Sequence, residues 1–194
     1  MVVFDSTTLS LLFLPNAAVP TGRDNKPIKH VKERLEALID QIAQAGESII
    51  IPTPALSEFL VKSVEKTDEF LKTVRASPWF RIEAFDIAAA VEVGQRTAQA
   101  IAAGDKREGS RADWTKIKYD RQIVAIALVA GASRIISDDR DVQVIGERWG
   151  VQVLSVEDLP IPPELTPPLL RDIEQEDESD NNAVKGNAAP LKKN

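Results

Sequence analysis

The sequence predicts an α/β fold, a three-layer α/β/α sandwich around a central, mostly parallel five-stranded sheet. Three observations predict it. Short apolar, β-branched runs alternate with stretches of helical periodicity from Val2 to Val156, the pattern of strands joined by crossover helices. The helical stretches end at breakers, Pro15, Gly46, Gly104 and Gly131. Two strand-like runs pass into aspartate, at Asp5 and at Asp138, Asp139 and Asp141. In a parallel sheet both would end at the carboxyl edge, where ligands bind.

Residues 2–4 read as a buried strand and 7–13 as a short apolar helix stopped by Pro15. Residues 15–27 are rich in Pro, Gly, Asn and Asp and read as a loop. Ile28, Val31, Leu35, Leu38, Ile39, Ile42 and Ala45 recur at helical spacing, predicting a helix over 28–45 with Gly46 as its stop. Residues 48–51 form the second strand. Thr53 then reads as an N-cap and Pro54 as the first helical position of a helix carrying Leu56, Glu58, Phe59 and Leu60. Residues 80–85 alternate as a third strand, and Asp86 caps a long helix over 87–103. Residues 105–119 read as a polar linker and Asp120 as the opening of the next helix. Residues 134–137, 142–149 and 151–156 complete the pattern as strand, helix and strand. No internal repeat is present.

This pattern defines a globular domain over 1–159. Beyond it, five prolines crowd between 160 and 168, and residues 172–180 hold six acids with Ile173 as their only apolar residue. Such a composition predicts a Pro-rich, acidic, disordered tail over 160–194.

The chain has no cysteine, which excludes disulfides, thiolate metal sites and thiol nucleophiles. No signal peptide is legible and no apolar run approaches the ~20 residues of a membrane helix, so a cytoplasmic protein with no membrane partner is expected. The net charge is −6, too acidic for a general nucleic-acid coat. Residues 160–194 carry seven of the acids against four bases, leaving the domain with 23 against 20. Gathering several of those acids at one site would leave room for basic patches elsewhere.

Four acids hold comparable places. Asp5 and Asp139 end strands, Glu58 sits in the second turn of a helix, and Asp120 opens one. Converging carboxylates repel and cost desolvation, and are tolerated mainly around a cation. Oxygen ligands without His or Cys select Mg²⁺ or Mn²⁺ over zinc, a centre suited to phosphodiester hydrolysis. The sole histidine, His30, excludes a two-histidine nuclease mechanism. Each acid also has a plain reading as a loop, cap or surface residue; the joint pattern is the specific signal. Of Asp138, Asp139 and Asp141, some must serve as turn or cap residues.

Carried on VVFDSTTLSLLF at 2–13, IIIPTPALSEFL at 49–60, YDRQIVAIALVAGASRIISDDRD at 119–141 and VQVLSV at 151–156, the sequence resembles the PIN-domain family. These are metal-dependent ribonucleases that include toxins of type II toxin–antitoxin modules. The resemblance implies a PIN-like nuclease domain over 1–159 that acts as an endoribonuclease. Asp5, Glu58, Asp120 and Asp139 would be its catalytic and metal-binding residues, supported by Thr7, Ser137, Asp138 and Asp141. It further implies Mg²⁺ or Mn²⁺, an RNA substrate, a homodimer and a small antitoxin protein. The loop at 15–27, the stretch at 105–119 and the tail are longer than in compact members, and Val142 stands where members often carry an aromatic residue.

For RNA, residues 21–34 and 105–119 are locally basic, at net +3 and +2. Basic side chains bind phosphates and exposed aromatics stack on unpaired bases. Lys106, Arg107, Arg111, Trp114, Lys116, Lys118 and Arg121 are therefore the candidate RNA contacts. Trp79 and Trp149 read as core or interface residues. Two alternatives compete. One is a non-catalytic PIN-fold module binding RNA or protein. The other is a haloacid-dehalogenase-type phosphatase, which requires an acid two residues after Asp5, where this chain has Thr7.

Overall fold

The structure, a computed structural model, describes residues 1–165. Along the chain come β1 (Val2–Phe4), α1 (Ser6–Phe13), α2 (Val31–Gln44), β2 (Ile49–Pro52) and α3 (Thr53–Lys62). A 3₁₀ turn at Val64–Lys66 leads to α4 (Thr67–Ala76), β3 (Phe80–Glu83) and α5 (Ile87–Ala102). Then follow α6 (Trp114–Val129), β4 (Arg134–Ile136), α7 (Arg140–Trp149), β5 (Gln152–Leu154) and a 3₁₀ turn at Val156–Asp158.

The five strands pair in the order β3-β2-β1-β4-β5, every pair parallel. The predicted three-layer α/β/α architecture with a parallel sheet is therefore the observed one. Alternation along the strands assigns the two faces. Val2, Phe4, Ile49, Ile51 and Ile136 belong to one core, with Leu9 of α1, Leu35 and Ile42 of α2, Phe59 of α3 and Phe70 and Val74 of α4. Val3, Ile50 and Ile135 face the other, with Ala89 of α5, Ile117, Ile123, Val124 and Ala127 of α6, and Val142, Ile145 and Trp149 of α7.

The chain moves outward from β1 to β2 and β3, then returns to lay β4 on the other side of β1. Crossovers leave β1 and β4 in opposite directions, opening a crevice at their carboxyl ends. The register pairs Phe4 with Ile136, so Asp5 and Ser137 emerge side by side. Local chemistry alone put acids at strand ends; the strand order makes two of those ends adjacent.

Several boundaries differ from expectation for identifiable reasons. The helix predicted from 28 starts at Val31, because His30 adopts φ +56°, although Ile28 still buries in the core. Thr53 is not an N-cap: Pro52 holds that place, and the Thr53 hydroxyl accepts the Phe85 N–H at 3.1 Å. The sequence pattern does not announce α4; its two buried residues, Phe70 and Val74, sit one turn apart on an otherwise polar segment. Most consequential, Asp120 does not open its helix. Asp113 caps α6, accepting the N–H groups of Thr115 and Lys116 at 2.8 and 3.0 Å. Residues 114–119, expected in a linker, contain no breaker and bury Ile117 completely.

The chain divides into two units, Met1–Pro160 and Ile161–Asn194. The first contains the sheet and both cores. In the second, a 3₁₀ turn spans Pro163–Leu165; the rest of the expected disordered tail, acidic run included, lies outside the described residues. Among the described residues no helix is long and apolar enough to cross a membrane.

Candidate metal centre

At the end of β1 the chain turns into α1 on Asp5, whose Oδ1 accepts the Thr8 N–H at 2.7 Å. Its other oxygen accepts a short hydrogen bond from the Ser137 hydroxyl. The Thr8 hydroxyl donates to the carbonyl of Ile136 at 2.7 Å, tying the first turn of α1 to the end of β4. Asp5 is 2% exposed. Burial raises its pKa, against the opposing hydrogen bonds of Ser137 and Thr8.

Ser137 organises the second strand end. Its oxygen also accepts the Asp139 N–H at 3.1 Å, and its carbonyl accepts from the Gln143 side chain at 3.2 Å. Asp139 then caps α7 through the Asp141 N–H at 2.8 Å. The serine and the acid two residues on thus form one strand-to-helix turn. Asp138 points away, its Oδ1 accepting the Val156 N–H at 3.2 Å while Oδ2 is buried without a hydrogen-bond partner. Burial, followed by the charges of Asp5, Asp158 and Glu157, pushes its pKa to about 6 against the Val156 bond. Asp138 and Arg140 line a cavity of about 560 Å³ that Arg23, Gln143 and Glu157 help enclose.

The third contribution comes from α6. Because the helix begins at Trp114, Asp120 lies in its second turn and Lys116 stands one turn before it, on the same face. Asp120, Asp139 and Asp141 converge there, with one oxygen of each within 4.8 Å of the others. Lys116 Nζ lies among them, 2.9 Å from Asp120 Oδ2, 2.9 Å from Asp139 Oδ2 and 3.1 Å from Asp141 Oδ2. Ser110 donates to the remaining oxygen of Asp141 at 2.5 Å.

Three carboxylates around one ammonium leave excess negative charge. Burial raises the pKa of Asp120 to about 7; the Lys116 bond and charge pull it down, and the charges of Asp139 and Asp141 push it up. For Lys116, burial favours the neutral form, but the bonds and charges of Asp139 and Asp120 dominate and raise its pKa. Asp141 is held below its usual value, because the Ser110 and Lys116 bonds outweigh its burial.

The arrangement differs from the expected quartet. Asp120 and Asp139 come together with Asp141, to which the resemblance assigns only a supporting place. Asp5 stands outside this trio, joined to it through Ser137. Glu58 is also outside, its carboxylate accepting from the Ser6 hydroxyl at 2.7 Å. Thr7 makes none of these contacts; its neighbours Ser6 and Thr8 make them instead. The Asp5 carboxylate, buried with both oxygens engaged, offers no support for the phosphatase alternative.

One expected RNA contact, Arg121, is corrected, and a second, Lys116, is held by carboxylates. Arg121 is 0% exposed. Its guanidinium donates to Glu108 at 3.0 and 2.6 Å, to Thr97 at 2.9 Å and to the Lys106 carbonyl at 2.8 Å. Buried and engaged in this way, it does not reach phosphate. Lys116 faces the carboxylates rather than solvent phosphate. Trp114 carries the Lys106 ammonium at 4.1 Å and the Arg121 guanidinium at 5.3 Å from its ring centroid, so those cations already occupy its π-surface. Arg107 is exposed and donates to the Ala112 carbonyl, while Lys106, Arg111 and Lys118 are exposed. The site residue that sequence reading passed over is Lys116 as a carboxylate partner. Its signal was the four-residue spacing to Asp120, visible only once the helix start is moved to Asp113.

No family model matches the chain, and no curated protein matches its sequence.

Proposed function

We propose that this chain is a divalent-metal-dependent endoribonuclease of PIN type, toxin-like, hydrolysing RNA phosphodiester bonds at the edge where β1 and β4 end. One observation carries the reading: three carboxylates, one from α6 and two from the turn into α7, meet within 4.8 Å beside the crevice that the sheet order creates. The sequence resemblance supplies the reaction class. The donor set is entirely oxygen, which favours Mg²⁺ or Mn²⁺. Asp120, Asp139 and Asp141 would hold the ion. Bound there, it would supply a Lewis acid for the phosphoryl oxygen and a charge for the leaving oxygen. Ser110 fixes the orientation of Asp141, and Ser137 fixes Asp5 and the backbone of Asp139. Arg111, Lys118 and Arg140 are exposed on the segments that carry these residues and provide positive charge for RNA phosphates. A homodimer, a small antitoxin that covers the site and a cytoplasmic setting belong to the same reading.

The test is cleavage of single-stranded and structured RNA by the purified chain in Mg²⁺, Mn²⁺ or EDTA. Cleavage is expected only with metal, and Asp120→Asn or Asp139→Asn should reduce it to background while circular dichroism shows an intact fold. Full activity in either folded variant, or none in the parent with any divalent ion, would refute the proposal. A binding module without turnover is the second reading, and it is favoured by the ammonium that already partly neutralises the site. Tight RNA binding without cleavage in the same assay selects it.

A further inference from the structure

We propose that Lys116 is the resident cation of the carboxylate site and that a divalent ion binds by displacing it. This rests on the metal-centre reading above and adds a role for a residue outside the expected ligand set. The ammonium already holds an oxygen of each acid that would ligate the metal: Asp120 Oδ2, Asp139 Oδ2 and Asp141 Oδ2. Of the other oxygens, Asp141 Oδ1 accepts from Ser110, and Asp139 Oδ1 accepts both the Asp141 N–H and the same ammonium, the latter at 3.0 Å.

Size also forbids sharing. The ammonium stands 2.9 to 3.1 Å from these oxygens, whereas Mg²⁺ requires about 2.0–2.1 Å. A bound ion would draw the carboxylates inward by roughly 0.9 Å into the space Nζ fills, and two cations in contact repel. The lysine has a way out. Its side chain is 38% exposed, on a flexible four-carbon stem, and the ammonium can leave without opening either core. In the metal-free protein it lowers the repulsion among three acids that would otherwise face one another unneutralised.

The consequence is an affinity for metal set by exchange rather than by the carboxylates alone. Mn²⁺ titration of the full chain by calorimetry, with the parent and Lys116→Met, measures it. The variant should bind about tenfold or more tightly, melt at a lower temperature in EDTA, and show a larger rise in melting temperature on adding Mn²⁺. Amine acylation of the parent, read by peptide mass spectrometry, needs no variant: Lys116 should be protected in EDTA and modified in Mg²⁺. Equal Mn²⁺ affinity in the parent and variant, with labelling unchanged by Mg²⁺, overturns the exchange and leaves the metal centre standing. Weaker binding in Lys116→Met also overturns it, showing that the lysine positions the ligands. Failure of both proteins to bind Mn²⁺ removes the metal centre itself. If Lys116→Met does not fold, Lys116→Gln takes its place.

Discussion

Asp120 is 4% exposed and its carboxyl titrates near 7 rather than 3.8, chiefly because burial penalises its charge. The folded chain therefore holds this proton more tightly than the unfolded chain. The resulting stabilisation is complete below pH 3.8 and is lost as pH rises through 7. Asp120→Asn keeps a neutral side chain at every pH. In EDTA the variant should melt several degrees above the parent at pH 8, with a much smaller difference at pH 5. Mn²⁺ should raise the parent's melting temperature, by the linkage any native-state ligand exerts, and leave the variant's unchanged. Scanning calorimetry at both pH values checks this, and a parent more stable than the variant in EDTA at pH 8 contradicts it.

At the scale of elements, the position of α7 decides where Asp139 and Asp141 point. It lies against β5 through Gly146, where an added Cβ would overlap Val153 Cγ2 and stand 3.3 Å from the Val151 carbonyl oxygen. With backbone on one side and a packed valine on the other, Gly146→Ala should cost about 1–3 kcal/mol in urea unfolding. A Cβ added at Gly94 in α5 would meet nothing within 4 Å; there Gly94→Ala should stabilise by about 0.5–1 kcal/mol through helix propensity alone. The same glycine-to-alanine change thus has opposite signs on two helices of one sheet face. Equal effects would mean that α7 does not pack on β5 this closely.

Across the whole molecule, one buried ion pair joins the helices behind the site. Arg121 of α6 bonds Glu108 in the preceding loop and Thr97 of α5, and Glu108 also accepts from the indole of Trp149 in α7 at 2.9 Å. Arg121→Met strands a buried carboxylate and should cost about 3–5 kcal/mol; adding Glu108→Gln should recover much of it. Denaturant melts of the single and double variants decide, and additive losses would show that the two side chains are not coupled. Much of the fold was legible in the sequence, because alternation, helical spacing and breakers are local properties. So were the two strand-ending acids and Ser137. The surroundings of Lys116, Arg121 and Asp141 were not legible, since they depend on residues up to 31 positions away and on where α6 begins. By itself the sequence determined the layered α/β class and the acids that follow β1 and β4. Only the tertiary structure decided that Asp120, Asp139 and Asp141 share one lysine, because that requires the strand order and the pitch of α6 to bring separate segments to a common point.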